Sequence, residues 1–295
     1  MRVYALIFNM IYVFIALLLI ATPHVSKRFN LPALNIIYRW FRWFFCAALI
    51  ANILEIFLLS TRPFFVHFVT GLGIYFIIET GYNWVAIKAL SGSDLPLFPQ
   101  YKANKDGDGW PANSQTIKIK EWIRDNSFVH LESFKAELYA GVYLRTSIYQ
   151  NPETKTRLQI LFVPKGRGET EPSYILTNVN KEGVSIITDN YSMPYGGFYP
   201  DTWNHVRNPL KGSLGKLKQL HDQRLNNNTT EIVPLGDDPL EDLLEQQSTL
   251  EELNVKKGFL FPRREQNDKG KITQEGRYRL WKEMWHLAYL GRPLL

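Results

Sequence analysis

The chain is expected to be a membrane protein, with three apolar helical spans followed by a soluble α+β domain whose antiparallel sheet is covered by C-terminal helices. Three observations predict this. The first ninety residues hold three long apolar runs and only two carboxylates, Glu55 and Glu79. From 127 to 190 the chain is dense in β-branched and aromatic residues broken by turn chemistry. From 214 to 290 leucines and aromatics recur at helical spacing.

The apolar runs are Val3 to Ala21, about Phe44 to Leu59, and about Phe64 to Leu90. A helix needs about 20 apolar residues to cross ~30 Å of hydrocarbon. The first run is interrupted only by Asn9. It reads as an anchor, because a cleaved signal would be shorter, more basic at its start and followed by a small-residue cleavage site. The second reaches a spanning length if its helix begins near Leu34, with Arg39 and Arg42 in the interface. The third carries Glu79 and three glycines, of which Gly71 and Gly73 would permit close helix approach.

Orientation follows from the short loops. Lys27, Arg28, Arg39 and Arg42 surround the first loop, and Arg62 stands alone in the second. Lys88, Lys102 and Lys105 follow the third run. The N-terminus is therefore expected outside, with residues 91–295 cytoplasmic, in an inner or plasma membrane. Trp40, Trp43 and Trp84 fall near the inner boundaries, where indoles prefer to sit.

Residues 1–90 contain 7 basic and 2 acidic side chains of the chain's 34 and 28, so the remainder is almost neutral. The basic pI thus comes from the apolar part, where cations meet anionic headgroups. Membrane lipid is an expected partner and nucleic acid is not. The single cysteine, Cys46, excludes an internal disulfide and a cysteine-based metal site. In a cytoplasmic domain the sequons at Asn227 and Asn228 would simply mark a polar loop.

Domain organisation is read as 1–90 in the membrane, 91–120 as a Gly/Pro-rich linker, and 121–295 as the soluble domain. In the linker, Asp106-Gly107-Asp108-Gly109 lacks the continuing oxygen ligands of a calcium loop and reads as a turn. Strands are expected at Phe128–Phe134, Leu138–Tyr149, Arg157–Val163, Tyr174–Asn178 and Val184–Thr188. The short gaps Asn151-Pro152-Glu153, Gly166-Arg167-Gly168 and Lys181-Glu182-Gly183 suit an antiparallel meander. Leu214, Leu217, Leu220 and Leu225 then mark one helix. Asp238 caps a second, with Pro239 at its first position and Gly258 as its stop. A third runs from about Thr273 to Leu290 and stops at Gly291, with Tyr278, Trp281, Trp285 and Leu287 on its packing side. The helices are expected on one face of the sheet.

The most distinctive stretch of the domain is Asp189 to His205. Long ordered loops often carry function. Here Tyr195, Trp203, Asp201 and His205 are the ligand-binding candidates, and Asp201 with His205 forms a possible acid–base pair. The plainer alternative is an aromatic loop packed over an open end of the sheet. In the apolar region Glu55 and His67 are expected at similar depth on adjacent helices, close enough to pair, with Glu79 nearer the inner face. These polar residues read as a clamp ordering the helices, or more sharply as an ion-linked site.

Other constellations are weak. Gly212-Ser213-Leu214-Gly215-Lys216 lacks phosphate-loop spacing, and Ser213 has no triad partner. His130, His205, His221 and Asp222 share no metal-ligand spacing, so neither a metal nor a cofactor is expected. Phe259 to Gly276 could form a hairpin between helices, but its basic residues are interspersed with Glu265, Asp268 and Glu275. The expected function is a membrane-anchored interaction, scaffold or sensor protein with a protein partner, without catalysis. The alternatives are a membrane-bound hydrolase using Asp201 and His205, or a membrane-tethered DNA-binding regulator.

Overall fold

The computed structural model describes residues 2–294 apart from 30, 58–59, 106, 108, 112–113, 165–169 and 229, and the side chains of 2–9, 11 and 27–29 are also outside the description. Asn9, Lys27, Arg28, Asp106, Asp108 and the Gly166-Arg167-Gly168 turn fall among these exclusions. The chain divides into two compact units, Met1–Lys88 with Trp281–Leu295, and Ala89–Leu280.

The first unit contains α1 (Arg2–Phe29), α2 (Pro32–Ile56) and most of α3 (Phe64–Gly92). Pro32 opens α2 in the first turn, where its missing N–H costs nothing. The short second apolar run is thereby extended backwards to include Arg39 and Arg42. Helices α2 and α3 are both long and apolar enough to cross a membrane. The described apolar stretch of α1, Tyr12–Ser26, is shorter. One glycine explains how closely α2 and α3 approach. A Cβ on Gly71 would lie 2.7 Å from the Ala47 carbonyl oxygen, while Gly73 faces open space. Ala47 and Ala51 are fully buried on the facing helix.

The second unit is built on a sheet ordered β1-β2-β3-β4-β5-β6-β7. Its strands are β1 (Lys102–Ala103), β2 (Val129–Tyr139), β3 (Val142–Asn151), β4 (Thr156–Pro164), β5 (Thr170–Asn180), β6 (Ser185–Asp189) and β7 (Trp203–Arg207). The two-residue β8 (Ile232–Val233) pairs with β5. From β1 to β6 every pairing is antiparallel, as a meander requires. Asparagines make the turns. Asn151 Oδ1 accepts from the Glu153 and Thr154 N–H groups, both at 2.9 Å. Asn180 Oδ1 accepts from Glu182 (3.1 Å) and Val184 (2.8 Å).

Four expectations are corrected. The strand expected to run unbroken from Leu138 to Tyr149 turns back at Ala140-Gly141, where Gly141 takes a φ of 79°. The sheet is mixed, because β7 lies parallel to β6. Residues 190–202 are long enough to form the crossover that a parallel pair needs. The segment expected as linker carries β1 and a helix, α4 (Ser114–Asp125). Finally, helices cover both faces of the sheet.

On one face Ile119 and Ile123 of α4, and Leu214 and Leu217 of α5 (Leu214–Asn226), pack against Leu158, Ile160, Phe162, Tyr174 and Leu176. On the other, Leu243 of α6 (Pro239–Lys256) packs against Phe134, Ala136, Leu144, Ile148 and Leu161. The alternation of side chains along β4 feeds both cores.

Helix starts follow side-chain caps. Asp238 Oδ1 accepts from the N–H groups of Leu240 (2.9 Å) and Glu241 (3.0 Å), ahead of Pro239. Between Phe259 and Gly276, a candidate hairpin by sequence, the chain forms α7 (Arg263–Lys269), enclosed by a bridge between Leu260 and Ile272. Thr273 Oγ1 accepts from Gly276 N (3.0 Å) at the start of α8 (Gln274–Trp285). A π-helical turn, His286–Leu290, extends α8 to Gly291, whose φ of 66° ends it.

Candidate functional site

The segment from 189 to 207 is pinned from several sides. Asn254 of α6 is fully buried and acts as a hub. Its Oδ1 accepts from Phe198 N (2.7 Å), and its Nδ2 donates to the Tyr195 hydroxyl (2.8 Å) and the Phe198 carbonyl (3.0 Å). Arg279 of α8 donates to the Gly196 carbonyl (3.0 Å) and lies 3.9 Å from the Phe198 ring centroid. Gly196 has a φ of 68°, and a Cβ there would lie 2.7 Å from the Leu280 Cα. Gly197 is equally confined, since its Cβ would lie 2.6 Å from Asn254 Oδ1. Both glycines therefore serve close packing.

The expected acid–base pair is not formed. Asp201 is exposed in the turn before β7. His205 takes Asp189 instead, with Nε2 2.5 Å from Oδ2, and both side chains are almost fully buried. Parallel pairing of β6 and β7 sets Ile187 opposite His205 and Asp189 opposite Arg207, which brings the three polar side chains to one face. Arg207 Nε lies 3.5 Å from Asp189 Oδ1, and Arg207 Nη2 donates to the Tyr199 hydroxyl (2.5 Å). Tyr199 meets the His205 ring edge-on at 4.2 Å. Of the four loop candidates, Tyr195 and Trp203 each stack near Tyr199. Tyr195, Trp203 and His205 thus share one aromatic cluster, and Asp201 is outside it.

On the opposite face His221 of α5 is fully buried in a directional relay. Arg224 donates to Thr188 Oγ1 (2.5 Å), so the Thr188 proton is available to His221 Nδ1 (2.8 Å). Nε2 then donates to Asn178 Oδ1 (2.9 Å), and Asn178 Nδ2 donates to the Thr154 carbonyl (3.0 Å). The relay specifies a neutral imidazole. Burial, with Arg224 and Lys218 close by, pushes its pKa down to about 3. Asp222 is tied to Lys218 (2.6 Å). Among the described residues no group of three or more His, Cys, Asp or Glu side chains has a metal-binding arrangement.

In the first unit Glu55 and His67 do not pair. Glu55 is exposed, whereas His67 is 3% exposed, and among the described residues neither of its ring nitrogens has a hydrogen-bond partner. His67 stands one helical turn before Gly71, the residue that meets Ala47 of α2.

Glu79 has three partners, from two elements. Arg42 (3.4 Å) and Arg39 (3.6 Å) approach it from α2, and the Tyr289 hydroxyl donates to it from the π-helical turn. Trp40 Nε1 donates to the Tyr289 carbonyl (2.9 Å), and Trp285 stacks on the Tyr289 ring at 4.6 Å. Burial and the Glu79 carboxylate push the Tyr289 hydroxyl above its ordinary pKa.

Sequence reasoning assigned no role to Asp189, Arg207, Asn254 or Tyr289. Asp189 and Arg207 meet only because β6 and β7 pair in parallel, and no local pattern announces that. Asn254, a polar residue among the leucines of α6, was a visible signal, since a buried amide must find partners. No protein-family model, curated protein or solved structure matches this chain.

Proposed function

We propose that the chain is a three-span membrane protein, N-terminus outside, whose cytoplasmic α+β domain acts by binding as an interaction, scaffold or sensor component. Membrane lipid surrounds its helices, and a protein partner engages the domain. The observation that carries this reading is the construction of residues 189–207. The polar groups at its heart are spent on one another and on α6 and α8, which suits a rigid framework rather than a reactive pair. The two long apolar helices support the anchor. Tyr289 meets Trp40 and Glu79 near the start of α2, just after the first loop, which supports placing the first loop and the C-terminus on one side.

Co-purification of the full chain from native membranes in mild detergent tests the reading, and a stoichiometric protein partner is the expected result. A reporter fused after Gln100 is expected to be active in the cytoplasm. Recovery of the chain alone, or reporter activity outside, would count against the corresponding half of the proposal.

A further inference from the structure

A second polar cluster lies away from the aromatic loop, across β2 and β3. Trp110 Nε1 donates to Ser147 Oγ (3.0 Å), Ser147 Oγ lies 3.0 Å from Ser133 Oγ, and Ser133 Oγ lies 3.0 Å from His130 Nε2. The direction of this chain is constrained. An indole N–H can only donate, so Ser147 accepts there. Ser147 is fully buried, and among the described residues the only acceptor within reach of its own proton is Ser133 Oγ. The Ser133 proton is then left for the His130 ring nitrogen. This is the arrangement of a serine held against a general base.

Its formation depends on a backbone irregularity. Residues 130 and 133 are three apart, and on a regular strand they would point to opposite faces. The register of β2 against β3 shifts between His130 and Glu132. His130 stands opposite Tyr149 and Glu132 opposite Ile148, so Leu131 is an extra residue without a ladder partner. That bulge returns His130 to the face of Ser133 and Ser147, where its ring meets Tyr149 edge-on at 5.1 Å. Bulges re-aim side chains in this way and are enriched beside active sites. Ser133 is 9% exposed, and His130 beside it is exposed. Ser147 and Trp110 fix the Ser133 rotamer from below.

We propose that Ser133 is a nucleophile with His130 as its base, accepting the acyl group of an activated ester. Ser133 Oγ bonds to the acyl carbon while its proton passes to His130 Nε2. The carbon–oxygen bond to the leaving group then breaks, and the departing oxygen takes the proton from His130. The products are an ester on Ser133 and a free alcohol or phenol. This goes beyond the binding role proposed above and uses none of the residues of the aromatic loop.

The test uses the purified full chain in detergent with p-nitrophenyl acetate, following p-nitrophenol release and mapping acetylation by peptide mass spectrometry. Acetylation concentrated on Ser133 is expected. His130→Gln, a change at an exposed side chain, is expected to slow it by about a hundredfold, the lower range of a general base's contribution. Ser133→Ala abolishes it. Ser147→Ala, which leaves nucleophile and base in place, slows it less than His130→Gln. Thermal melts of each variant separate lost reactivity from lost fold. Ser133 acetylation no faster than that of other exposed serines, or a rate unchanged in a folded His130→Gln variant, would overturn the proposal.

Discussion

At the scale of single residues the domain is organised by buried polar groups, and each has a consequence that can be measured. His221 is held neutral with a pKa of about 3, against about 6.5 in an unfolded chain. Between those values the unfolded state binds the extra proton. The stabilisation is therefore complete above about pH 6.5 and declines as pH falls towards 3, by up to ~1.4 kcal/mol per pH unit. Denaturant titrations of the full chain across this window should show that slope, and His221→Leu should reduce it even though that variant is less stable at neutral pH. Asp189 and Asp201 make a contrasting pair. Asp189→Ala leaves His205 and Arg207 buried without their carboxylate, and a loss of about 3 kcal/mol is expected for breaking such a pair. Asp201→Ala, in an exposed turn, should stay within about 0.5 kcal/mol of the parent. Equal losses for the two would contradict the pairing of His205 with Asp189.

At the scale of elements, caps and glycines set where helices start and how closely they pack. Asp238→Ala removes two capping bonds at the start of α6 and should cost about 1 kcal/mol by denaturant midpoint. The loss would extend to the sheet, since Asp242 in the same first turn forms a half-buried ion pair with Arg157 of β4. The glycines of α3 separate packing from composition. Gly71→Leu must push α2 away at Ala47, whereas Gly73→Leu enters open space. A drop in the detergent melting temperature is expected for the first and little change for the second. Both glycines were legible as close-approach candidates. Which one faced α2 was not, because a helix with apolar residues all round has no distinguished side until a neighbour packs against it.

At the scale of the whole molecule the division at Lys88 and Leu280 is the organising fact. The unit Ala89–Leu280 has its own sheet with helices on both faces and two apolar cores. Expressed as residues 89–280, it is expected to fold without detergent, giving a mixed α/β circular-dichroism spectrum and a cooperative melt. The Trp281–Leu295 segment belongs with the apolar helices through Tyr289, Trp285 and Glu79. Removing it from the full chain should lower the melting temperature of the helical unit, and a truncated chain that melts like the parent would refute that packing.

The two long apolar helices, the β3-to-β6 meander, the Asp238 cap and the Gly291 stop could all be read from residues close together in the chain. Apolar length, turn asparagines and capping carboxylates act locally, so their pattern survives in one dimension. What only the tertiary structure decided were contacts between distant segments. These include His205 with Asp189 rather than Asp201, Tyr289 on Glu79, α4 on the sheet, and His130 turned towards Ser133 by one extra residue. Each depends on register or on the return of a remote segment. A one-residue shift in register reverses which face a side chain occupies, and the linear pattern of residue types does not specify that shift.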